Sequence, residues 1–188
     1  MNSNSTKTAP TVGRDEEPRP SRESSLQALD TVVTRVVFPF PAEQIWDGMM
    51  FYEEIIGAPP IPLRWVIPRA IKTEGPKSRV GDQVKCHYEE GFLMKEITMI
   101  VSGERYSFDV TEQQLDLHGS ILIGGEYHLR ELGPGRTEVS LMTRYQSNKR
   151  PRWFWRKLEA AFCHAFHRHI LAALEKSLAK ENGGRNST

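Results

Sequence analysis

From Gly81 to Tyr145 the chain alternates apolar and polar residues with the period of half-buried strands. Val84, Cys86 and Tyr88 alternate with Gln83, Lys85 and His87. The next inward row runs Leu93, Lys95, Ile97, Met99 and Val101, and a third holds Tyr106, Phe108 and Val110. Ile121, Ile123, Tyr127 and Leu129 make a fourth row, and Val139, Leu141, Thr143 and Tyr145 a fifth. The turns between them, at Glu90-Gly91, Ser102-Gly103-Glu104 and Gly133-Pro134-Gly135, are short, so neighbouring strands are antiparallel. The phase slips around Glu112 to Gln114, which predicts a bulge or turn. Gly124-Gly125 predicts a bend where the sheet curls.

An earlier strand is predicted over Thr31 to Phe38, which is rich in β-branched residues. Pro39 and Pro41 end it by removing two ladder donors. Ile45, Trp46, Met49 and Tyr52 then recur at helical spacing, predicting a short helix or helix pair from Ala42 to about Ile56, stopped at Gly57. Residues 58–70 are apolar but proline-spaced, so they predict an ordered loop packing Ile61, Leu63, Trp65, Val66 and Ile67 against the domain.

Nothing after Pro151 breaks a helix before about Lys180. That stretch would span roughly 40 Å at 1.5 Å per residue. Its predicted buried stripe collects Phe154, Leu158, Ala161, Phe162, Ala165, Phe166, Ala172 and Ala173, with His169 as the polar residue within it. His164 and His167 fall on the other side. The order of strand, one or two helices, antiparallel strands and long helix is an α+β arrangement with the helix laid across the concave face of the sheet.

A chain of 188 residues suits one domain with tails, here 1–28 and 182–188 around a domain at 29–181. The first tail is Ser, Thr, Pro and charge, with too little apolar surface to offset the entropy of ordering it. The net charge is +1, which gives no global field toward nucleic acid. Cys86 and Cys163 make no disulfide framework. The chain has no run of apolar residues long enough to span a bilayer and no signal-peptide pattern at its start, so the expected location is cytoplasmic.

Certain residues in this order resemble the START-like superfamily, also called SRPBCC or Bet v 1-like. Phe40-Pro41-Ala42-Glu43-Gln44-Ile45-Trp46-Asp47 is similar to that family's entry into its first helix. Val80-Gly81-Asp82 resembles the opening of its second strand, and Gly135-Arg136-Thr137-Glu138-Val139 the hairpin before its last. The ending, Trp153-Phe154-Trp155 followed by His164-Ala165-Phe166-His167, is similar to an uncharacterised bacterial branch, covering about residues 30–180 in all. The resemblance implies the helix-grip fold, a curved sheet of about six or seven strands around the long C-terminal helix. It also implies an internal apolar cavity, in relatives that bind lipids, sterols or polyketides and in a minority catalyse cyclisation or hydrolysis. It transfers no catalytic set.

An apolar cavity needs a few polar handles, and Tyr88, Tyr127, Tyr145, Thr143, Lys95 and His169 supply them by parity. Trp46, Trp65, Ile97, Met99, Phe108, Phe154, Phe162 and Phe166 complete the expected wall. Singly, each polar residue is more often a satisfied core group; as a set they favour a ligand. His169 with a tyrosine could act as acid and base, yet no carboxylate is placed to orient it. His164 and His167 have a metal-compatible spacing but no third ligand, so neither a metal nor another cofactor is expected. Arg150, Arg152, Trp153, Trp155, Arg156 and Lys157 form a basic and aromatic cluster of the kind a membrane surface attracts. The leading expectation is a non-enzymatic binder of a hydrophobic small molecule. The rivals are a cyclase- or hydrolase-type enzyme and a peripheral membrane or protein-interaction module.

Overall fold

The computed structural model describes residues 28–50 and 69–185. Strand β1 (Asp30–Phe38) leads into helix α1 (Ala42–Met50). Strands β2 (Ala70–Glu74), β3 (Gln83–Tyr88), β4 (Gly91–Val101), β5 (Arg105–Gln114), β6 (Ser120–Gly133) and β7 (Arg136–Ser147) follow, and helix α2 (Arg152–Arg185) closes the chain. Among the described residues seven strands form one antiparallel sheet in the order β1-β7-β6-β5-β4-β3-β2. This is the expected α+β helix-grip arrangement. The far end of the predicted first helix, the proline-spaced loop with Trp65 and the N-terminal tail lie outside the described residues.

β2 is absent from the sequence reading, because Ala70–Glu74 is a short edge strand with little alternation to mark it. Elsewhere bulges change the parity. At Ile97/Met99 the register of β4 against β5 shifts, so Ile100 packs on the core while Met99 is 39% and Val101 42% exposed. Met99 is therefore not an inward residue. A second shift sets Met94 opposite Glu112 and Lys95 opposite Val110, which is the predicted slip near Glu112. In β6 the bulge falls at Leu122/Gly124, immediately before the glycine pair, and it reverses the expected row there. Leu122 turns inward and Ile121 is exposed.

The interior has two halves. At one end α1 and the C-terminal part of α2 pack tightly on the sheet, with Phe38, Ile45, Ile97, Val139, Leu171, Leu174 and Leu178 almost completely buried. Gly48 lets the two helices approach, since a Cβ there would lie 2.6 Å from Leu178 Cδ2. Thr137 Oγ1 donates to the Phe40 carbonyl at 2.9 Å and fixes the entry to α1. Trp46 and Ile97 belong to this packed half. The other half, under the N-terminal part of α2, is open space.

Candidate ligand cavity

A cavity of about 670 Å³ lies between the sheet and α2. Cys86 and Tyr88 of β3, Leu93 and Lys95 of β4, Phe108 and Val110 of β5, Leu122 and Tyr127 of β6, and Leu141, Thr143 and Tyr145 of β7 face it. From α2 come Trp155, Leu158, Glu159, Phe162, Cys163, Phe166, His167 and Ile170. Tyr88, Lys95, Phe108, Tyr127, Thr143, Tyr145, Phe162 and Phe166 are thus brought together as the alternation and helical spacing place them. Lys95 Nζ rests over the Phe108 ring, 4.6 Å from its centroid.

The face of α2 is rotated from the one expected. Phe154 is 47% exposed, and Ala161 and Ala172 are exposed. The strongest apolar period in the helix is its C-terminal Ile170, Leu171, Leu174 and Leu178. Continued backward at 100° per residue, that period places His167 about 20° from Leu174 and Phe154 on the opposite side. His167, not His169, is the histidine of the inward face. It is 1% exposed and lines the cavity, whereas His169 is half-buried outside the lining.

His167 can be buried because β1 and β7 supply hydroxyls. Its Nδ1 is 2.9 Å from Thr34 Oγ1, and its Nε2 is 2.8 Å from Thr143 Oγ1 and 3.4 Å from Cys163 Sγ. His164 Nδ1 reaches the same Thr34 hydroxyl at 2.8 Å. One hydroxyl carries one proton, so Thr34 can donate to only one of the two rings and accepts an N–H from the other. Burial, and secondarily His164, lowers the His167 pKa to about 4. Burial raises the Cys163 thiol to about 11, against a smaller pull from Thr143. Near neutral pH the pair is imidazole and thiol, without the thiolate that nucleophilic chemistry needs. Neither cysteine is in a disulfide. Among the described residues no three His, Cys, Asp or Glu side chains group as metal ligands, and His164 and His167 are engaged by Thr34.

A second polar cluster closes the other end, around the first turns of α2. Glu159 Oε1 accepts from Ser147 Oγ at 2.6 Å and Lys149 Nζ at 3.2 Å, while Oε2 accepts from Arg152 Nη1 at 2.6 Å. Arg152 also bonds Asp30, whose other oxygen takes Arg156 Nε at 3.0 Å. Burial pushes the Glu159 carboxyl up, but these donors outweigh it and hold the group ionised. Tyr145 sits against this cluster, 5% exposed. Its pKa is raised to about 12 by burial and by the Glu159 and Asp30 carboxylates. The Arg152 guanidinium beside it pulls the other way, and the Tyr145 oxygen is fully enclosed there.

No protein-family model and no curated protein matches the chain. Solved structures do. The chain is similar to the Zhui aromatase/cyclase from a Streptomyces species, at 14% identity and a TM-score of 0.58, over 81% of this chain and 95% of that one. It is similar to a START superfamily protein from Mycobacterium smegmatis, at 12% identity and a TM-score of 0.58, over 80% and 97% of the two chains. A norcoclaurine synthase from Thalictrum, a point mutant in complex with a transition-state analogue, gives 13% identity and a TM-score of 0.57 over 83% and 98%. The chain has the START-like, or Bet v 1-like, helix-grip fold.

Within this helix-grip fold the basic and aromatic cluster divides. Trp155 lines the cavity and donates its Nε1–H to the Arg150 carbonyl at 3.0 Å, and Arg152 is held by Asp30 and Glu159. Trp153 is 71% exposed, and Arg150, Arg156 and Lys157 are exposed beside it. Glu159, Cys163 and Lys149 line the cavity but were not among the residues expected there. The spacing of 155, 159 and 163 carries the signal for the first two, since it marks one helix face.

Proposed function

We propose that the protein binds one hydrophobic small molecule, of lipid, isoprenoid or polyketide-like character, between the sheet and α2. The observation that carries this reading is a cavity of about 670 Å³ walled mainly by aliphatic and aromatic side chains, with a smaller number of polar groups among them. Such a volume suits a ligand-sized molecule. The acid–base reading through His169 loses its basis, because that residue is not in the cavity lining. The groups that are there, a neutral imidazole against a protonated thiol, favour binding over chemistry. Organic extraction of the purified protein, followed by mass spectrometry and by native mass spectrometry of the reloaded protein, tests this. A single apolar molecule per chain is expected. Failure to retain or take up any member of a hydrophobic panel would contradict it.

A second reading rests on its own observation. Trp153 and Phe154, 71% and 47% exposed, stand among Arg150, Arg156 and Lys157 at the cavity end of α2, as at a surface that docks on anionic lipid. It predicts sedimentation with anionic vesicles that weakens as salt rises and is lost in W153A/F154A. No sedimentation at low salt would remove it.

A further inference from the structure

The two adjacent glycines of β6 meet β5 in different ways, and the difference bears on what the cavity takes. A Cβ at Gly124 would run into backbone, the Phe108 carbonyl oxygen, on the side of Arg144 and Asp109. A Cβ at Gly125 would instead lie 2.7 Å from Phe108 Cζ and 3.1 Å from Cε1, inside the far edge of the ring. Gly125 and Phe108 are direct partners across β5 and β6. Residues directly opposite each other share a face of the sheet, so the ring tip fills the place of the side chain that Gly125 lacks. The ring thus lies across β6 rather than standing up into the cavity it lines.

The backbone does not demand glycine at 125, which is not among the glycines with positive φ. A glycine inside a strand costs stability relative to alanine, so the space it leaves is what calls for it. The Met142 carbonyl oxygen, 3.1 Å from the same point, closes the other flank, and a methyl at 125 could not slide away from the ring. β6 is held by pairing on both sides there, to Phe108 and to Thr143. The ring is the part that can turn, and the open side is the cavity.

We infer that Gly125 is a specificity-determining residue: it lets the Phe108 ring lie down on β6 and so gives the cavity depth there for a ring-bearing or branched hydrophobic ligand. An unbranched chain is thin and does not need that depth. This rests on the ligand-binding reading above and narrows its ligand class.

The test uses the full chain with two alcohols of equal carbon count, cyclododecanol and 1-dodecanol. Affinity is read by tryptophan fluorescence, with Trp155 on the cavity wall, and by native mass spectrometry. The parent is expected to bind the cyclic alcohol at least as tightly as the linear one. Gly125→Ala should lift the ring and weaken cyclododecanol about five- to tenfold more than 1-dodecanol, the loss of about one to two buried methylenes. Its melting temperature should stay near the parent's, because a ring tip yields where backbone would not. Gly125→Ala/Phe108→Leu removes the lifted ring and should restore the parent's ratio of affinities, which a merely structural glycine would not do. A parent that prefers the linear alcohol overturns the assignment. So does equal weakening of both alcohols, an unmoved ratio, a ratio the double variant fails to restore, or a Gly125→Ala chain that no longer folds. In each of those cases the binding reading stands on the parent's own uptake. If the parent binds neither alcohol, the binding reading fails and takes this inference with it.

Discussion

His167 occupies a place where the chain offers hydroxyls rather than carboxylates, and that choice sets its acid response. Its folded pKa of about 4 lies below the ordinary 6.5, so below 6.5 the unfolded chain binds a proton that the folded chain refuses. Stability therefore falls as pH drops from 6.5 toward 4 and is fully present above 6.5. The loss from this group is about 3 kcal/mol. Denaturant titrations across that range should show the slope, and His167→Asn should flatten it. Thr34→Val removes the oxygen shared by two imidazoles, one of them buried, and should destabilise by about 1–3 kcal/mol in the same measurement. An unchanged midpoint would mean water replaces the hydroxyl. The cavity tyrosines and Thr143 were legible as residues because strand parity alone aims them. The His167 partnership was not, because Thr34 is 133 positions away and only strand pairing brings it near.

At the scale of elements, the sheet was legible where alternation runs unbroken and illegible where a bulge intervenes. One extra residue at Ile97/Met99 moved Met99 out, and another at Leu122/Gly124 moved Ile121 out. The glycine pair signals the second bulge but not which residue it releases. Gly124 cannot accept a side chain there, since a Cβ would run into the Phe108 carbonyl oxygen of β5. Gly124→Ala should destabilise by about 1–3 kcal/mol, measured by chemical unfolding. The helix was legible in extent but not in phase. Alanines and Phe154 suggested one stripe, whereas Ile170, Leu171, Leu174 and Leu178 define another that admits His167, Cys163 and Glu159. At its start, Arg152 ties α2 to β1 through Asp30 and to Glu159 in its own next turns. Arg152→Met leaves two carboxylates short of a partner and should destabilise by about 2–4 kcal/mol. A smaller effect would mean Arg156 and Lys149 take its place.

Taken as a molecule, the domain is dense at one end and hollow at the other. The dense end, built on α1, Phe38 and the last turns of α2, supplies stability that the hollow end does not need to provide. An open volume of about 670 Å³ leaves its wall atoms without partners on one side, so something should fill it. Val110 stands on that wall. Val110→Phe would extend into open space rather than into packed neighbours, so stability should hold while binding falls. The most direct measurement is therefore a paired titration of the full chain and Val110→Phe with 1-dodecanol, read by native mass spectrometry. The parent is predicted to take one molecule per chain and the variant to take it weakly or not at all, with equal melting temperatures. Equal uptake by both proteins, or none by the parent, would contradict a ligand held between the sheet and α2.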